Sequence, residues 1–125
     1  MATITRDIPP DSWIDFFDGF SRRHEGWLVE VRILDENGAQ VESENRPLQG
    51  ISADRGNKDI SITTLQDGKL VERFVSDPQR VRVEEVEGAE RAVEIESAKS
   101  GRTLVTFRSS MPPEMVDGLL PERAP

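Results

Sequence analysis

The residue type best suited to acid–base chemistry occurs once, at His24, in a chain of 125 residues. Imidazole is the side chain whose unperturbed pKa lies nearest neutrality, so it can gain or lose a proton at ordinary pH. A general base also needs a group that orients it, and Asp18 and Glu25 lie close in sequence. The same position would let His24 pack against Trp27 or sit at the carbonyl end of a helix, which favours a cation. A catalytic and a structural interpretation of His24 therefore both stay open.

A cluster of carboxylates lies between positions 84 and 96. Six glutamates fall close together: Glu84, Glu85, Glu87, Glu90, Glu94 and Glu96. A hydrolase that uses paired carboxylates needs two of them at a set separation across a cleft, one with a raised pKa. These glutamates instead occupy mostly the polar positions of two neighbouring predicted strands. They indicate a solvated acidic face or a surface for a basic partner, which leaves His24 as the only catalytic candidate.

Four residues are candidates for a binding site. They are His24, Trp27, Arg22 and Arg46. A cleft beside His24 with either arginine pointing into it would favour an enzyme. A filled interior with His24 packed under Trp27 would favour a binding module.

Composition excludes several classes of function. The absence of cysteine excludes disulfides, thiolate metal sites and a cysteine nucleophile, and one histidine excludes multi-histidine sites. We therefore expect no metal and no cofactor. The formal net charge is −8, and the largest basic cluster is Arg22-Arg23-His24. Phosphates must be neutralised by clustered Lys and Arg, so neither nucleic acid nor an anionic membrane is an expected partner.

The location of the protein is also predicted from composition. There is no run of 18 apolar residues and no apolar segment near the N-terminus. These two absences predict a chain without a membrane span and without a signal peptide. The lack of cysteine fits a reducing compartment, so we expect a cytoplasmic protein.

Turn signals and β-branched residues predict a mostly β fold. Val and Ile number 19, against 15 Leu and Ala, and turn dipeptides such as Asn37-Gly38 and Asp67-Gly68 recur every nine to twelve residues. Eight candidate strands lie between the turns: 27–34, 39–45, 48–53, 60–63, 70–75, 81–84, 93–96 and 104–107. Most have one apolar and one polar face, which is the antiparallel pattern. We predict a small antiparallel β-barrel or β-sandwich whose aromatics Trp27, Phe74 and Phe107 either fill the interior or line a ligand cavity.

One amphipathic segment precedes the strands. Five residues recur at helical spacing and form one stripe: Trp13, Phe16, Phe17, Phe20 and His24. Ser12 and Asp15 resemble a capping box at its start. The pattern predicts an N-terminal helix over about 10–25, packed on an antiparallel β meander over about 27–109. A Pro-rich tail, 110–125, completes a single domain spanning 1–125.

Several ungapped stretches carry a resemblance to a known family. They are Ile4-Thr5-Arg6-Asp7-Ile8-Pro9 with Trp13, Phe20-Ser21-Arg22, His24-Glu25-Gly26-Trp27, Leu48-Gln49-Gly50-Ile51-Ser52-Ala53-Asp54, and Pro113-Glu114-Met115-Val116-Asp117-Gly118. Together they resemble a small bacterial family catalogued only as a domain of unknown function. The resemblance spans nearly the whole chain and implies a bacterial, stand-alone cytosolic protein. It carries over no catalytic residues, because the family has no established activity.

Two function classes follow from the sequence. The first is a non-catalytic module of the bacterial cytosol that binds a protein or a small molecule. The alternative is a small hydrolase or isomerase that uses His24 with a neighbouring carboxylate. Strand edges, together with an apolar patch in the tail, would also allow a homodimer; the patch comprises Met115, Val116, Leu119 and Leu120.

Overall fold

A computed structural model describes residues 3–56, 59–99 and 101–107 of the chain. Within these ranges, one α-helix and eight strands are joined by short connections. In chain order they are β1 (Thr3–Ile8), α1 (Trp13–His24), β2 (Leu28–Asp35), β3 (Gly38–Ala53), β4 (Ile60–Gln66), β5 (Lys69–Val75), β6 (Pro78–Val86), β7 (Ala89–Ser97) and β8 (Gly101–Phe107).

The eight strands form one antiparallel sheet in the order β1-β6-β7-β8-β2-β3-β4-β5. A single core cluster collects side chains from all eight strands and from α1, so the sheet wraps around that core. Across the described ranges the strand ladder stays open, with β1 and β5 at its two edges. The prediction of a mostly β fold with about eight antiparallel strands and one N-terminal helix is confirmed, in an open rather than a closed form.

Strand β3 joins two parts of the sheet, because it pairs with β2 along its first part and with β4 along its second part. Its first part pairs with β2 as far as Pro47, and its second part pairs with β4 from Leu48 onward. The sequence predicts two strands here because Arg46-Pro47 has the composition of a turn. The chain does bend at this point, with Asn45 at a φ of +57° and register shifts on both sides, but the strand continues through the bend.

Strand β1 is not predicted from the sequence. Only Ile8 is buried, so the segment lacks the apolar alternation of a half-buried strand. It pairs with β6, and ion pairs join Arg6 to Glu85 at 3.0 Å and Asp7 to Arg80 at 3.1 Å. The predicted number of strands therefore agrees with the structure only because the prediction omits β1 and divides β3 into two strands.

The predicted aromatic stripe is the buried face of α1. Trp13, Phe17, Phe20 and His24 are buried. A short 3-10 turn, Pro10–Ser12, precedes the helix. The predicted capping box is wrong, because Ser12 keeps a helical backbone (φ −105°, ψ −1°) and its side chain makes no cap hydrogen bond.

Helix α1 is held on β3 by hydrogen bonds as well as by apolar packing. Ser21 Oγ donates to the Ile51 carbonyl at 2.9 Å and accepts the Ile51 N–H at 2.8 Å. A Cβ on Gly50 would lie 3.3 Å from the same Ser21 Oγ, so the missing side chain permits this close approach. These contacts fix the position of the helix end that carries His24.

The β4–β5 hairpin follows its sequence signal. Asp67 and Gly68 both have positive φ, at +53° and +80°, as the two central residues of a tight hairpin turn require. The two strands then pair without a register shift from Gln66 opposite Lys69 to Ile60 opposite Val75. This regular pairing leaves the far side of β5 as an edge of the sheet.

Part of the predicted organisation lies outside the described residues. Strand β8 ends at Phe107. The predicted end of the meander at 109 and the tail 110–125 fall in the remainder, as does the apolar patch that begins at Met115. In the part of the chain that the structure describes, no helix is long and apolar enough to cross a membrane.

Candidate functional site

His24 lies at the end of α1 among three aromatic rings. Its ring centroid is 4.4 Å from that of Phe20, 4.6 Å from that of Phe107 and 4.8 Å from that of Trp27, which it meets edge-on. Nδ1 lies 2.8 Å from the Phe20 carbonyl oxygen, to which it donates when it carries the proton. The residue is only 5% exposed. The structure therefore places His24 in the packed interior, against Trp27.

A carboxylate from a distant part of the chain reaches the open side of this ring. Glu90 Oε1 lies 3.6 Å from His24 Nε2. Arg23 donates to the same carboxylate through Nε at 3.2 Å and through Nη2 at 2.9 Å to each oxygen. The carboxylate beside His24 is thus Glu90, and neither Asp18 nor Glu25 takes that place.

The environment favours the neutral form of His24. Burial lowers its pKa from the ordinary 6.5, and the nearby positive charge of Arg23 acts in the same direction. The hydrogen bond to Phe20 and the charge of Glu90 raise the pKa, but they do not outweigh burial. The ring is therefore enclosed, is favoured in its neutral form, and faces an arginine-bound carboxylate through Nε2.

The other two predicted binding residues lie elsewhere. The shallow surface depression beside His24 and Trp27 is completed by Arg23, Glu85 and Glu90. Arg22 lines a different groove together with Asp18 and Gln49. Arg46 lies beside Asp67, with 3.7 Å between Nη1 and Oδ1. Of the four candidates, the fold brings together only His24 and Trp27.

Arginines pair with three of the six glutamates of the acidic run. Glu94 is bridged by Arg82 at 2.8 Å and by Arg102 at 3.1 Å. Glu85 and Glu90 pair with arginines of β1 and α1, as described above. Pairing thus compensates half of this run, whereas no ion pair among the described residues joins Glu84, Glu87 or Glu96.

The other edge of the sheet presents a different surface. On β5 the outward-facing side chains are Leu70, Glu72 and Phe74, and all three are exposed. Leu70 is 65% and Phe74 63% exposed, more than the two other exposed large apolar side chains of the described strands, Ile4 at 56% and Val41 at 50%. We call this row the β5 face. The expectation that Phe74 lies inside the fold is wrong, because its position in the pleat turns it outward while Val75 turns into the core.

The β5 face continues into a polar groove. Ser52, Ser61 and Phe74 are neighbours across β3, β4 and β5, and the two serine hydroxyls lie 2.9 Å apart. Asp54, Asp59 and Glu72 also line the groove, whose volume is about 270 Å³. Sequence reasoning did not single out Leu70 or Glu72. The available signal was that 70–75 carries apolar residues on both faces, unlike the cleanly alternating strands.

The described residues offer no metal centre. Within 3–56, 59–99 and 101–107, no group of three or more His, Asp or Glu side chains is placed to hold an ion. Asp54, in the loop after β3, uses Oδ1 to accept the Gly56 N–H at 2.7 Å, as in a tight turn.

Comparison with known proteins places the chain in a family. The profile of a family described as a family of unknown function, DUF5335, matches residues 4–115. An uncharacterized protein of Aquifex aeolicus (strain VF5) is 28% identical over 109 residues, which cover 86% of this chain and 96% of that protein. No solved structure matches the chain. The resemblance predicted from the ungapped stretches is confirmed, and the chain belongs to the DUF5335 family.

Proposed function

We propose that this protein is a non-catalytic protein-interaction module that accepts an extended segment of a partner along β5. The observation that carries the proposal is the β5 face, where Leu70 and Phe74 are exposed on an edge strand. A strand added to such an edge gains main-chain hydrogen bonds and buries alternate side chains. We place the module in the bacterial cytoplasm, in keeping with its lack of cysteine and with its relative from Aquifex aeolicus.

Edge strands usually carry features that block further pairing, such as proline, a bulge or an inward charge. β5 has no proline and pairs with β4 without a bulge, and the charge on its inner side, Arg73, is held by the Glu42 carbonyl and Thr64 Oγ1. Within the described part of the chain it pairs with β4 alone. Fully burying one Leu or Phe side chain is worth about 1.5–3 kcal/mol. A partner strand that covers both would thus gain a substantial part of its binding free energy from this face.

The small-molecule alternative has weaker support. The inner positions of the sheet are filled by the protein's own side chains, and Phe17, Phe20, Leu48 and Ile62 are completely buried. A mostly apolar surface crevice of about 370 Å³ lies beside Trp13 and Ala53. Its charged lining residues are Asp11, Asp54 and Arg55, of which Asp54 already accepts the Gly56 N–H of its own loop at 2.7 Å.

The hydrolase or isomerase alternative is also less favoured. A general base must lie within hydrogen-bonding reach of the proton that it removes from a substrate. His24 is 5% exposed, its Nδ1 lies against the Phe20 carbonyl and its Nε2 faces Glu90. These contacts support a packing role for His24.

The test uses a strand-forming probe without charge, acetyl-Thr-Ile-Thr-Thr-Thr-Ile-Thr-amide. Its pattern reads the same in both directions, so it can pair with β5 in either orientation. The full chain, labelled with ¹⁵N, is titrated with this peptide while the backbone amide shifts are followed. We expect shifts that saturate and that centre on β5. The double variant Leu70→Lys with Phe74→Lys should lose them, because two buried charges would then oppose binding.

Val41→Lys is the matched control. Val41 is 50% exposed on β3 and does not belong to the β5 face, so this variant should bind the probe like the wild type. Equal binding by the double variant would contradict the proposal. Shifts centred on another strand, or no shifts at all, would also contradict it.

A further inference from the structure

We propose that the segment accepted by β5 carries a lysine or arginine opposite Glu72, flanked two residues away on each side by apolar side chains. This inference rests on the function proposed above and specifies the partner. It follows from the alternation of a strand, which places Leu70, Glu72 and Phe74 on one face at a spacing of two residues. An added strand presents one side chain to each of them.

Glu72 brings a negative charge that the described part of the chain does not neutralise. No ion pair within 4.0 Å joins it to a described arginine or lysine, and it is exposed. The adjacent Arg73 points to the opposite face, where it donates to the Glu42 carbonyl at 2.9 Å and to Thr64 Oγ1 at 3.4 Å. A cation supplied by the partner would therefore meet Glu72 directly.

The surroundings of Glu72 also favour a positively charged side chain on the partner. The carboxylate of Asp54 also lines the groove that Glu72 and Phe74 share. A long basic side chain placed opposite Glu72 can extend over the ring of Phe74, where the negative face of the ring attracts a cation. An acidic residue at that position would meet the like charge of Glu72. Charge complementarity thus selects a basic partner segment.

A second copy of this chain fits the β5 face less well. A two-fold axis that pairs Leu70 of one copy with Phe74 of the other also places Glu72 opposite Glu72. Like charges directly opposite each other destabilise a pair of strands. The occupant that satisfies all three positions is therefore a basic strand of another protein.

The test compares two charged probes that differ only at the centre, acetyl-Thr-Ile-Thr-Lys-Thr-Ile-Thr-amide and its counterpart with Glu in place of Lys. We expect the full chain to bind the lysine peptide about fivefold or more tightly than the glutamate peptide, from amide shift titrations. Glu72→Lys should reverse this preference, since the charge opposite the central position changes sign.

Glu44→Lys is the matched control. Glu44 is exposed on β3, outside the β5 face, so the substitution changes the net charge equally and should preserve the preference. Equal binding of both charged peptides, with the uncharged probe still bound on β5, would overturn the charge inference alone. If Glu44→Lys also lost the preference for the lysine peptide, that preference would arise from net charge, and the inference would be overturned as well. A dimer in sedimentation that Leu70→Lys with Phe74→Lys dissociates would identify the occupant as a second copy.

Discussion

At the scale of single residues, the chemistry of His24 is set by its neighbours. An imidazole near neutral pH is a natural proton carrier, yet this ring is enclosed by Phe20, Trp27 and Phe107. Burial costs the charged form its hydration and therefore lowers the pKa. The residue best suited by type to catalysis thus lies in the packed interior, where burial favours its neutral form.

This environment predicts how stability depends on pH. The unfolded chain binds a proton on His24 at the ordinary pKa of 6.5, whereas the folded chain does so only at lower pH. Between these two values the unfolded state holds more protons, so stability is fully present above pH 6.5 and falls as the pH decreases toward the folded pKa. The urea midpoint of the wild type should therefore decrease between pH 7.5 and pH 5.

His24→Gln provides the comparison for this prediction, because His24 is the only histidine of the chain. Its midpoint should be lower throughout but nearly independent of pH over the same interval. The same slope in the variant and the wild type would show that another group is responsible.

At the scale of elements, α1 and β3 are the pair on which the arrangement of the site depends. The helix buries its aromatic stripe against the core, and Ser21 joins it to the backbone of Ile51. The backbone of Leu48 also bonds to the chain just after the helix, accepting from Gly26 at 2.8 Å and donating to Trp27 at 2.8 Å. The position of His24 therefore depends on the docking of the whole helix.

A substitution in the stripe tests this docking. Phe17 is fully buried, so Phe17→Ala should lower the free energy of unfolding by about 3–5 kcal/mol, through lost burial and a residual cavity. Phe16→Ala is the matched control; Phe16 is partly exposed and should cost less than about 2 kcal/mol. Chemical denaturation measures both values. A loss below about 1 kcal/mol for Phe17→Ala would mean that the helix does not pack as described.

At the scale of the whole molecule, strand order decides which backbone amides are protected from hydrogen exchange. β8 and β2 lie in the middle of the sheet with a strand on each side, whereas β1 and β5 form its edges. Hydrogen exchange occurs through local openings, which are easiest where few contacts hold a segment. The free edge used in the proposed function should therefore be among the least protected regions of the described sheet.

Amide exchange followed by NMR tests this expectation. Amides in β5 should exchange about a hundredfold or more faster than those in β8 and β2. The measurement is repeated at a tenfold lower protein concentration. Strong protection of β5 that disappears on dilution would reveal a second copy on this edge, and strong protection at both concentrations would contradict an accessible edge.

The sequence by itself determined the local features of this protein. The aromatic stripe predicted α1, Asp67-Gly68 predicted the β4–β5 hairpin, and alternation predicted most of the strands, because each of these signals depends on residues that are close along the chain. β1 was not predicted because it lacks the alternation of apolar and polar residues. β3 was predicted as two strands because the chain bends near Pro47. The stretches that resemble the DUF5335 family were also recognisable from the sequence alone.

Only the tertiary structure decided which distant residues meet and which strand is left at an edge. Glu90 contacts both His24 and Arg23, although it lies 67 positions after Arg23 in the chain. No sequence pattern around these residues predicts the contact. Whether Phe74 faces the core or solvent depends on the register of β5, and whether β5 is an edge depends on how all the other strands pair. Pairing between strands is a non-local choice made by the burial of the whole core, which no short pattern contains.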